Sequence, residues 1–190
     1  MLSWGGMRWL AIKQVCGKGG EMAKVFIISG RTGAGKTTVA KRLASELNAF
    51  RFSHDEVLRT VYGKEIDDFE AACRRVNRLI MSQVAELLNL DISIILEGWG
   101  GRKLRDELRD ELNQIEAHYE FIFVSCPAGI RKERVLARNS EESLEGFCID
   151  EDSFLRMEQS DEEVGFDEQC IVVDNSDSSE EPALDFLLRS

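Results

Sequence analysis

The feature that most constrains the fold is a glycine-rich turn that directly follows an apolar run. Residues 25–29 are VFIIS, and they are followed by GRTGAGKTT at positions 30–38. The apolar run is typical of a buried parallel strand, and the residues after the turn begin a helical pattern. A strand, a glycine-rich turn and a helix in this order predict a phosphate-binding loop of the Walker A type.

Each part of this loop has a physical role in binding a nucleotide. Gly30, Gly33 and Gly35 permit positive φ angles, so successive backbone N–H groups can point inward at phosphate oxygens. The helix that begins at Lys36 directs its positive end at the same point. We expect Lys36 to reach the β- and γ-phosphates of the nucleotide and the Thr37 hydroxyl to be a ligand of Mg²⁺. The predicted nucleotide-binding set is Gly30, Arg31, Thr32, Gly33, Ala34, Gly35, Lys36, Thr37 and Thr38.

Composition limits the class of protein. A chain of 190 residues with 43% hydrophobic residues fits one domain with a sizeable core. The net charge is −11, and acidic residues crowd the last third of the chain, which disfavours non-specific binding to nucleic acid. The five cysteines are widely spaced without a C-x-x-C pair, which argues against a disulfide framework or a zinc site and favours a reducing cytoplasm. No apolar run is long enough to span a membrane.

The first 21 residues differ from the rest of the chain. They show neither helical nor strand periodicity, and they lack the apolar core and cleavage site of a signal peptide. Residues 18–21 are KGGE, which a ribosome-binding sequence such as AAAGGAGGTGAA encodes when it is translated in frame. We therefore expect residues 1–21 to be a disordered tail from a mis-assigned start in a bacterial or phage gene, with a genuine flexible tail as the alternative. Met22 would then be the native start, and residues 22–190 would form the folded domain.

Helical and strand patterns alternate after the loop. The predicted helices cover about 36–48, 55–62, 69–89, 102–115, 129–139 and 150–159, and a closing helix follows with Pro182 near its start. The predicted strands after the first cover 50–53, 92–96, 119–125 and 170–173. Strands that alternate with helices predict an α/β fold with a parallel sheet and right-handed crossovers.

The ordered motifs resemble those of the small bacterial P-loop kinases, an AAA-type group that includes zeta toxins, chloramphenicol phosphotransferase and polynucleotide 5′-kinases. The motifs are GxxxxGKT at 30–37, SHDxxxR at 53–59, LEGW at 96–99 and RxxxRN at 134–139. Only the first is specific by itself, and the resemblance spans residues 22 to about 175. It implies a three-layer P-loop fold with a five-stranded sheet of order 2-3-1-4-5, a Mg²⁺–ATP site and an arginine-bearing lid after the fourth strand.

The resemblance also implies roles for two carboxylates. Asp55 matches the carboxylate that accepts the proton of the attacking hydroxyl, and such a group suits phosphoryl transfer. Alternatively, Asp55 caps the helix that follows it. Glu97 could bind Mg²⁺ through water, orient the substrate hydroxyl or contact a substrate amine, and many relatives have Asp at this position. His54 is expected to be a polar neighbour of Asp55 and not a metal ligand, since His118 is its only possible histidine partner.

The remaining candidates are cations and one aromatic residue. Arg134 and Arg138 resemble lid arginines that close over the γ-phosphate, or they are ordinary solvated charges on a helix. Trp99 could stack on a substrate ring or belong to the core. Three further arginines are Arg59, Arg102 and Arg105. They could line an anionic substrate pocket, or they could pair with the acidic residues at 106, 107 and 110.

These observations predict a cytoplasmic, ATP-dependent phosphotransferase that acts on a hydroxyl of a small-molecule or nucleotide-like acceptor. Two alternatives stay open, a polynucleotide 5′-hydroxyl kinase, which the acidic charge disfavours, and a non-catalytic ATP-binding switch or zeta-toxin-like regulator. A GTPase is disfavoured because the N-K-x-D element is missing, and the length leaves no room for the helical domain of a ring-forming ATPase. The sequence specifies neither the acceptor nor the oligomeric state.

Overall fold

The computed structural model describes residues 22–63, 66–140, 149–160, 164–165 and 167–177. The predicted tail at 1–21 and the predicted closing helix near Pro182 lie outside these residues. Within them, none of the helices is long and apolar enough to cross a membrane.

Strands and helices alternate along the described chain. In order they are β1 (Val25–Ser29), α1 (Lys36–Glu46), β2 (Phe50–Ser53), α2 (His54–Tyr62), α3 (Phe69–Asn89), β3 (Ile94–Glu97), α4 (Arg102–Gln114), β4 (Tyr119–Ser125), α5 (Ala128–Ser140), α6 (Glu151–Ser160) and β5 (Ile171–Asp174). Strand β4 and helix α3 have the predicted bounds. Strand β3 starts two residues later than predicted, because the Ile92 N–H donates to the Leu87 carbonyl (3.0 Å) in the turn that ends α3.

The five strands form one parallel sheet in the order β2-β3-β1-β4-β5, which confirms the predicted fold. Alternate residues of the central strand β1 enter two separate cores, as the strand period of two requires. Val25 and Ile27 belong to the core beneath α2, α3 and α4. Phe26 and Ile28 belong to the core beneath α1 and α5. The continuous apolar run at 25–28 is therefore explained by burial on both faces of the sheet.

Parallel pairing brings the carboxyl ends of the strands to one edge of the sheet. Ser53 of β2 is paired with Glu97 of β3, and Ile28 of β1 is also paired with Glu97. The Ser29 hydroxyl at the end of β1 donates to the Trp99 carbonyl (2.6 Å) and ties the start of the glycine-rich loop to the segment after β3. The glycine-rich loop, the start of α2 and residues 97–101 are thus neighbours.

Candidate active site

The glycine-rich loop between β1 and α1 has the predicted conformation. Gly33 and Gly35 have φ angles of 80° and 90°, which side-chain-bearing residues rarely adopt. A Cβ atom at Gly33 would lie 2.6 Å from the Arg131 carbonyl oxygen, and one at Gly35 would lie 2.1 Å from Asn175 Nδ2. Backbone conformation and close packing therefore both require glycine at these two positions.

The Lys36 ammonium is folded over this loop. Its Nζ donates to the carbonyl oxygens of Gly30 (2.9 Å) and Arg31 (3.1 Å). Thr37 and Thr38 are exposed in the first turn of α1, where the helix directs its unpaired N–H groups outward. The cation, the hydroxyls and the helix end are thus collected at one point, as a polyphosphate site requires.

The loop is supported from β5 by Asn175, which the sequence reading did not select. Its Nδ2 donates to the Ala34 carbonyl (2.7 Å), and its backbone N–H donates to the Ser125 carbonyl (2.9 Å). Ala34 and Asn175 are both buried. The available sequence signal was a polar amide immediately after the last buried strand.

Glu97 lies at the centre of the site and is 4% exposed. Its Oε1 accepts a hydrogen bond from the Thr37 hydroxyl, and its Oε2 accepts one from Arg51 Nη1. Arg51 Nη2 also donates to both carboxylate oxygens of Glu56, at 2.6 and 2.7 Å. Burial alone would lower the pKa of Arg51, but its hydrogen bond to Glu56 and the charge of Glu97 outweigh this effect and raise the pKa above its usual value. The predicted pair Thr37 and Glu97 is therefore brought together, and Arg51 was missed.

Asp55 lies in the first turn of α2, next to this group. The predicted capping role is wrong, because the cap is Ser53, whose hydroxyl accepts from the Glu56 N–H (3.4 Å). Although 64% of the Asp55 side chain is exposed, nearby protein partly desolvates its carboxylate, which by itself would raise the pKa. The nearby His54 imidazole and the charges of Lys36 and Arg59 outweigh this and hold the pKa of Asp55 below its usual range. Asp55 is therefore an anionic group that a ligand can reach.

The residues around Asp55 include one correction. Trp99 is 1% exposed and packs in the core, with its ring edge-to-face against His54 at 5.4 Å between centroids. Its interpretation as a core aromatic is confirmed, and stacking on a substrate ring is contradicted because no face of the indole is accessible. His54 is also buried, and its Nδ1 lies 3.9 Å from Asp55 Oδ1, as expected for a polar neighbour.

The lid candidates lie on α5, which packs against the glycine-rich loop. A Cβ atom at Gly35 would lie 3.8 Å from Arg134 Nη1, so this guanidinium is beside the phosphate-binding turn. The same nitrogen lies 3.4 Å from Cys126 Sγ. Arg138 is exposed in the last turn of α5. Of the two predicted arginines, the structure brings Arg134 to the loop and leaves Arg138 on the surface.

A third arginine of α5, Arg131, was not predicted as part of the site. It is buried, and it donates to the Cys126 carbonyl (2.8 Å), the Thr32 carbonyl (3.3 Å) and Glu158 Oε2 (2.6 Å). Glu158 also accepts from Arg31 (3.3 Å), so helix α6 is tied to the loop through two arginines. Arg131 therefore braces the loop, and Arg31 has a protein partner as well as its predicted nucleotide role.

Arg102 and Arg105 of α4 both pair with carboxylates of the protein. Arg105 is 1% exposed and donates to Glu168 at 2.7 and 2.9 Å, so it is a buried ion pair and not a substrate contact. Its predicted pairing with the acidic residues of its own helix is also wrong. Arg102 pairs with Asp167 and, at 3.6 Å, with Asp106. Arg59 is half-buried on α2 and acts on Asp55 through its charge.

The donor set fits Mg²⁺. Thr37 and Glu97 supply hard oxygen donors, which this ion prefers. No cluster of three or more His, Cys, Asp or Glu side chains that could hold a metal is found in the part of the chain that the structure describes. Mg²⁺ needs no such cluster here, because in nucleotide sites it is held by one or two protein groups together with phosphates and water. The predicted metal pair, Thr37 and Glu97, is thus chemically suited to it.

Comparison with known proteins identifies a family for this chain. A family model described as an AAA domain matches residues 25–164. A shikimate kinase from Corynebacterium efficiens is 32% identical over 110 residues, which cover 57% of this chain and 63% of that protein. The match thus spans less than two thirds of this curated relative.

Two solved structures show the same fold. A candidate kinase from Chloroflexus aurantiacus has a TM-score of 0.72 at 17% identity, with coverage of 89% of this chain and 96% of that chain. A sugar kinase from Janibacter has a TM-score of 0.59 at 21% identity, with coverage of 80% and 85%.

The sheet order, the glycine-rich loop and the lysine over it define the P-loop kinase fold. Because the family model matches well over half of the sequence, the chain belongs to this AAA domain family of small P-loop kinases.

Proposed function

We propose that this protein is an ATP-dependent phosphotransferase that moves the γ-phosphate of ATP to a hydroxyl of a small-molecule or nucleotide-like acceptor. The observation that carries the proposal is the position of Asp55. Its carboxylate is exposed and lies in the first turn of α2, directly after Ser53, which pairs with Glu97 at the end of β3, so it lies near the predicted phosphate site. An anionic oxygen at this place can accept a hydrogen bond from an acceptor hydroxyl and take its proton as the new O–P bond forms and the bond from the γ-phosphorus to the bridging oxygen of ADP breaks, which releases ADP.

The remaining residues align the reactants and neutralise charge. Lys36 would exchange its two carbonyl partners, Gly30 and Arg31, for phosphate oxygens. Arg134, beside Gly35, is placed to approach the transferred phosphoryl group, where an arginine acts mainly on charge in the transition state. Mg²⁺, when bound at Thr37 and Glu97, would neutralise phosphate charge. The free thiols Cys73, Cys126 and Cys170 agree with a reducing compartment such as the cytoplasm.

The test is a screen of hydroxyl acceptors with labelled ATP, followed by Asp55→Asn on any acceptor that is phosphorylated. Asn keeps the size of the side chain, and Ser53 still caps α2, so ADP affinity and melting temperature should stay close to wild type. Phosphoryl transfer should fall by roughly 10² or more. Glu70→Gln, on an exposed side chain of α3, is the matched control, and Lys36→Ala should lose nucleotide binding itself.

Each other outcome has a defined meaning. Transfer at a near wild-type rate in Asp55→Asn would refute its role as the base. Transfer only to oligonucleotide 5′-hydroxyls would make the protein a polynucleotide kinase. Nucleotide-dependent capture of a partner without any turnover would replace the enzyme proposal with an ATP-binding switch.

A further inference from the structure

Arg51 joins two carboxylates at the edge of the sheet that holds the candidate site. Nη1 donates to Glu97, and Nη2 donates to both oxygens of Glu56, at 2.6 and 2.7 Å. The Arg51 side chain is 15% exposed, whereas Glu97 is 5% and Glu56 is 40% exposed. The planar guanidinium thus uses one nitrogen for the buried carboxylate and the other for the exposed one.

The sheet register explains how Arg51 reaches this position. Residues that pair across parallel strands point to the same face, and Arg51 pairs with Ile95, while Ser53 pairs with Glu97. Ile95 packs in the core beneath α1. Arg51 and Glu97 therefore lie on the face covered by α1, whose first turn carries Thr37.

The hydrogen-bond pattern leaves Glu97 without rotational freedom. One carboxylate oxygen accepts from Thr37 and the other from Arg51. Since a hydroxyl has one hydrogen and two lone pairs, donation to Glu97 turns the lone pairs of Thr37 away from the carboxylate and keeps them for a cation. Burial of a carboxylate also costs free energy unless a charged partner compensates it, and Arg51 is that partner here.

We propose that Arg51 is a positioning residue, which holds Glu97 against the Thr37 hydroxyl and so prepares both oxygen donors for the metal of a Mg²⁺–nucleotide. The inference rests on the proposed function, which supplies the Mg²⁺–nucleotide. It concerns nucleotide binding only, so its test requires no phosphoryl acceptor. Through Glu56, Arg51 also connects these donors to the first turn of α2, where Asp55 lies.

The test compares ADP affinity with and without Mg²⁺, measured by calorimetry on the full chain. The benefit from Mg²⁺ is expressed as the Kd for ADP without Mg²⁺ divided by the Kd with Mg²⁺. This ratio should fall by about tenfold or more in Arg51→Met, because a hydrogen bond to a charged group is lost. Arg51→Lys keeps the charge but not the planar fork, and we expect it to lower the ratio by at least about threefold. In both variants the Kd for ADP without Mg²⁺ should stay within about threefold of wild type, since Arg51 does not contact the glycine-rich loop.

Three further variants make the test specific. In a Glu97→Gln background, Arg51→Met should have little further effect on the ratio, because the two residues act together. Glu56→Gln should change the ratio by less than about threefold, since the Arg51–Glu97 contact remains. Arg74→Met, which breaks an exposed ion pair with Glu70 on α3, is the matched control and should leave the ratio unchanged.

An unchanged ratio in a folded Arg51 variant, or an equal loss of ADP affinity with and without Mg²⁺, would overturn the inference. If Arg51→Met does not fold, Arg51→Lys decides. A wild-type protein that binds Mg²⁺–ADP but phosphorylates no acceptor would contradict the proposed function and leave the role of Arg51 intact.

Discussion

Asn175 connects the end of β5 to the glycine-rich loop, and we predict that its replacement weakens nucleotide binding more than it weakens the fold. The side-chain Nδ2 donates to the Ala34 carbonyl at 2.7 Å. The backbone N–H donates separately to the Ser125 carbonyl at 2.9 Å, so a side-chain substitution leaves the strand pairing in place. The perturbation therefore acts on the loop itself.

The magnitude follows from burial. Ala34 is 1% and Asn175 is 8% exposed, so water does not readily replace the lost donor. A buried carbonyl that loses its partner costs about 1–3 kcal/mol. If the whole loss fell on nucleotide binding, the Kd for ADP would rise by roughly 5- to 150-fold. The loss in binding free energy and the loss in the free energy of unfolding should together stay within about 1–3 kcal/mol. The larger part should fall on binding because Ala34 belongs to the loop.

The assay is ADP titration and chemical denaturation of Asn175→Ala and Asn175→Asp. Asp has nearly the shape of Asn, but it presents an oxygen to the Ala34 carbonyl and should lose at least as much affinity as Ala. Ser176→Ala, one residue after Asn175, removes a hydroxyl that donates to Asp174; it is the control and should keep the affinity within about twofold. Asp and Ala variants that both bind ADP as wild type does would refute the reasoning.

Two other predictions concern catalysis and acid stability. Arg134→Ala should lower the turnover number with much less effect on ADP affinity, whereas Arg138→Ala, on the exposed end of α5, should change it much less, and a loss confined to melting temperature in Arg134→Ala would identify an ordinary surface charge. Hydrogen bonds from Arg105, the Gly165 N–H and Arg109 lower the pKa of Glu168 from 4.5 to about 2, with Arg105 the largest cause and burial opposing it. Because the folded-state pKa is depressed, about 3 kcal/mol of stability should be present above pH 4.5 and lost toward pH 2, and denaturation of Glu168→Gln should show a much smaller acid dependence.

Much of the fold could be predicted because burial leaves a period in the sequence. Apolar residues at steps of three and four gave the bounds of α3, and Val76, Ile80 and Val84 are buried on one face of it. The strand–loop–helix order identified the loop, and parallel pairing placed Asp55 and Glu97 at one sheet edge. These predictions depend on local patterns and on one general rule of sheet topology.

One error arose because a partner is distant in sequence. The two alternatives for Arg105 were a substrate pocket and the acidic residues of α4, but Asp106, one position away, cannot face it on a helix. Its partner Glu168 is 63 residues later, on a segment that only the folded chain brings to α4. Ser53 and Asp55 are both good capping residues. Ser53 is the cap because β2 ends at Ser53 and α2 begins at the next residue. The sequence pattern did not fix the end of β2 to within one residue.

Arg51 was missed for a different reason, which connects the fold to the proposed metal site. In a half-buried strand, FRFS predicts two inward phenylalanines and an outward arginine. In the outermost strand β2 the expected burial is partly reversed, since Phe50 is 48% exposed, whereas the Arg51 side chain is 15% exposed. The reversal follows from Glu97, whose buried charge on the α1 face needs a cation that the neighbouring strand can supply. A buried carboxylate predicted at the end of one strand therefore gives a reason to look for its cation on the adjacent strand, even where the alternation of that strand argues against it.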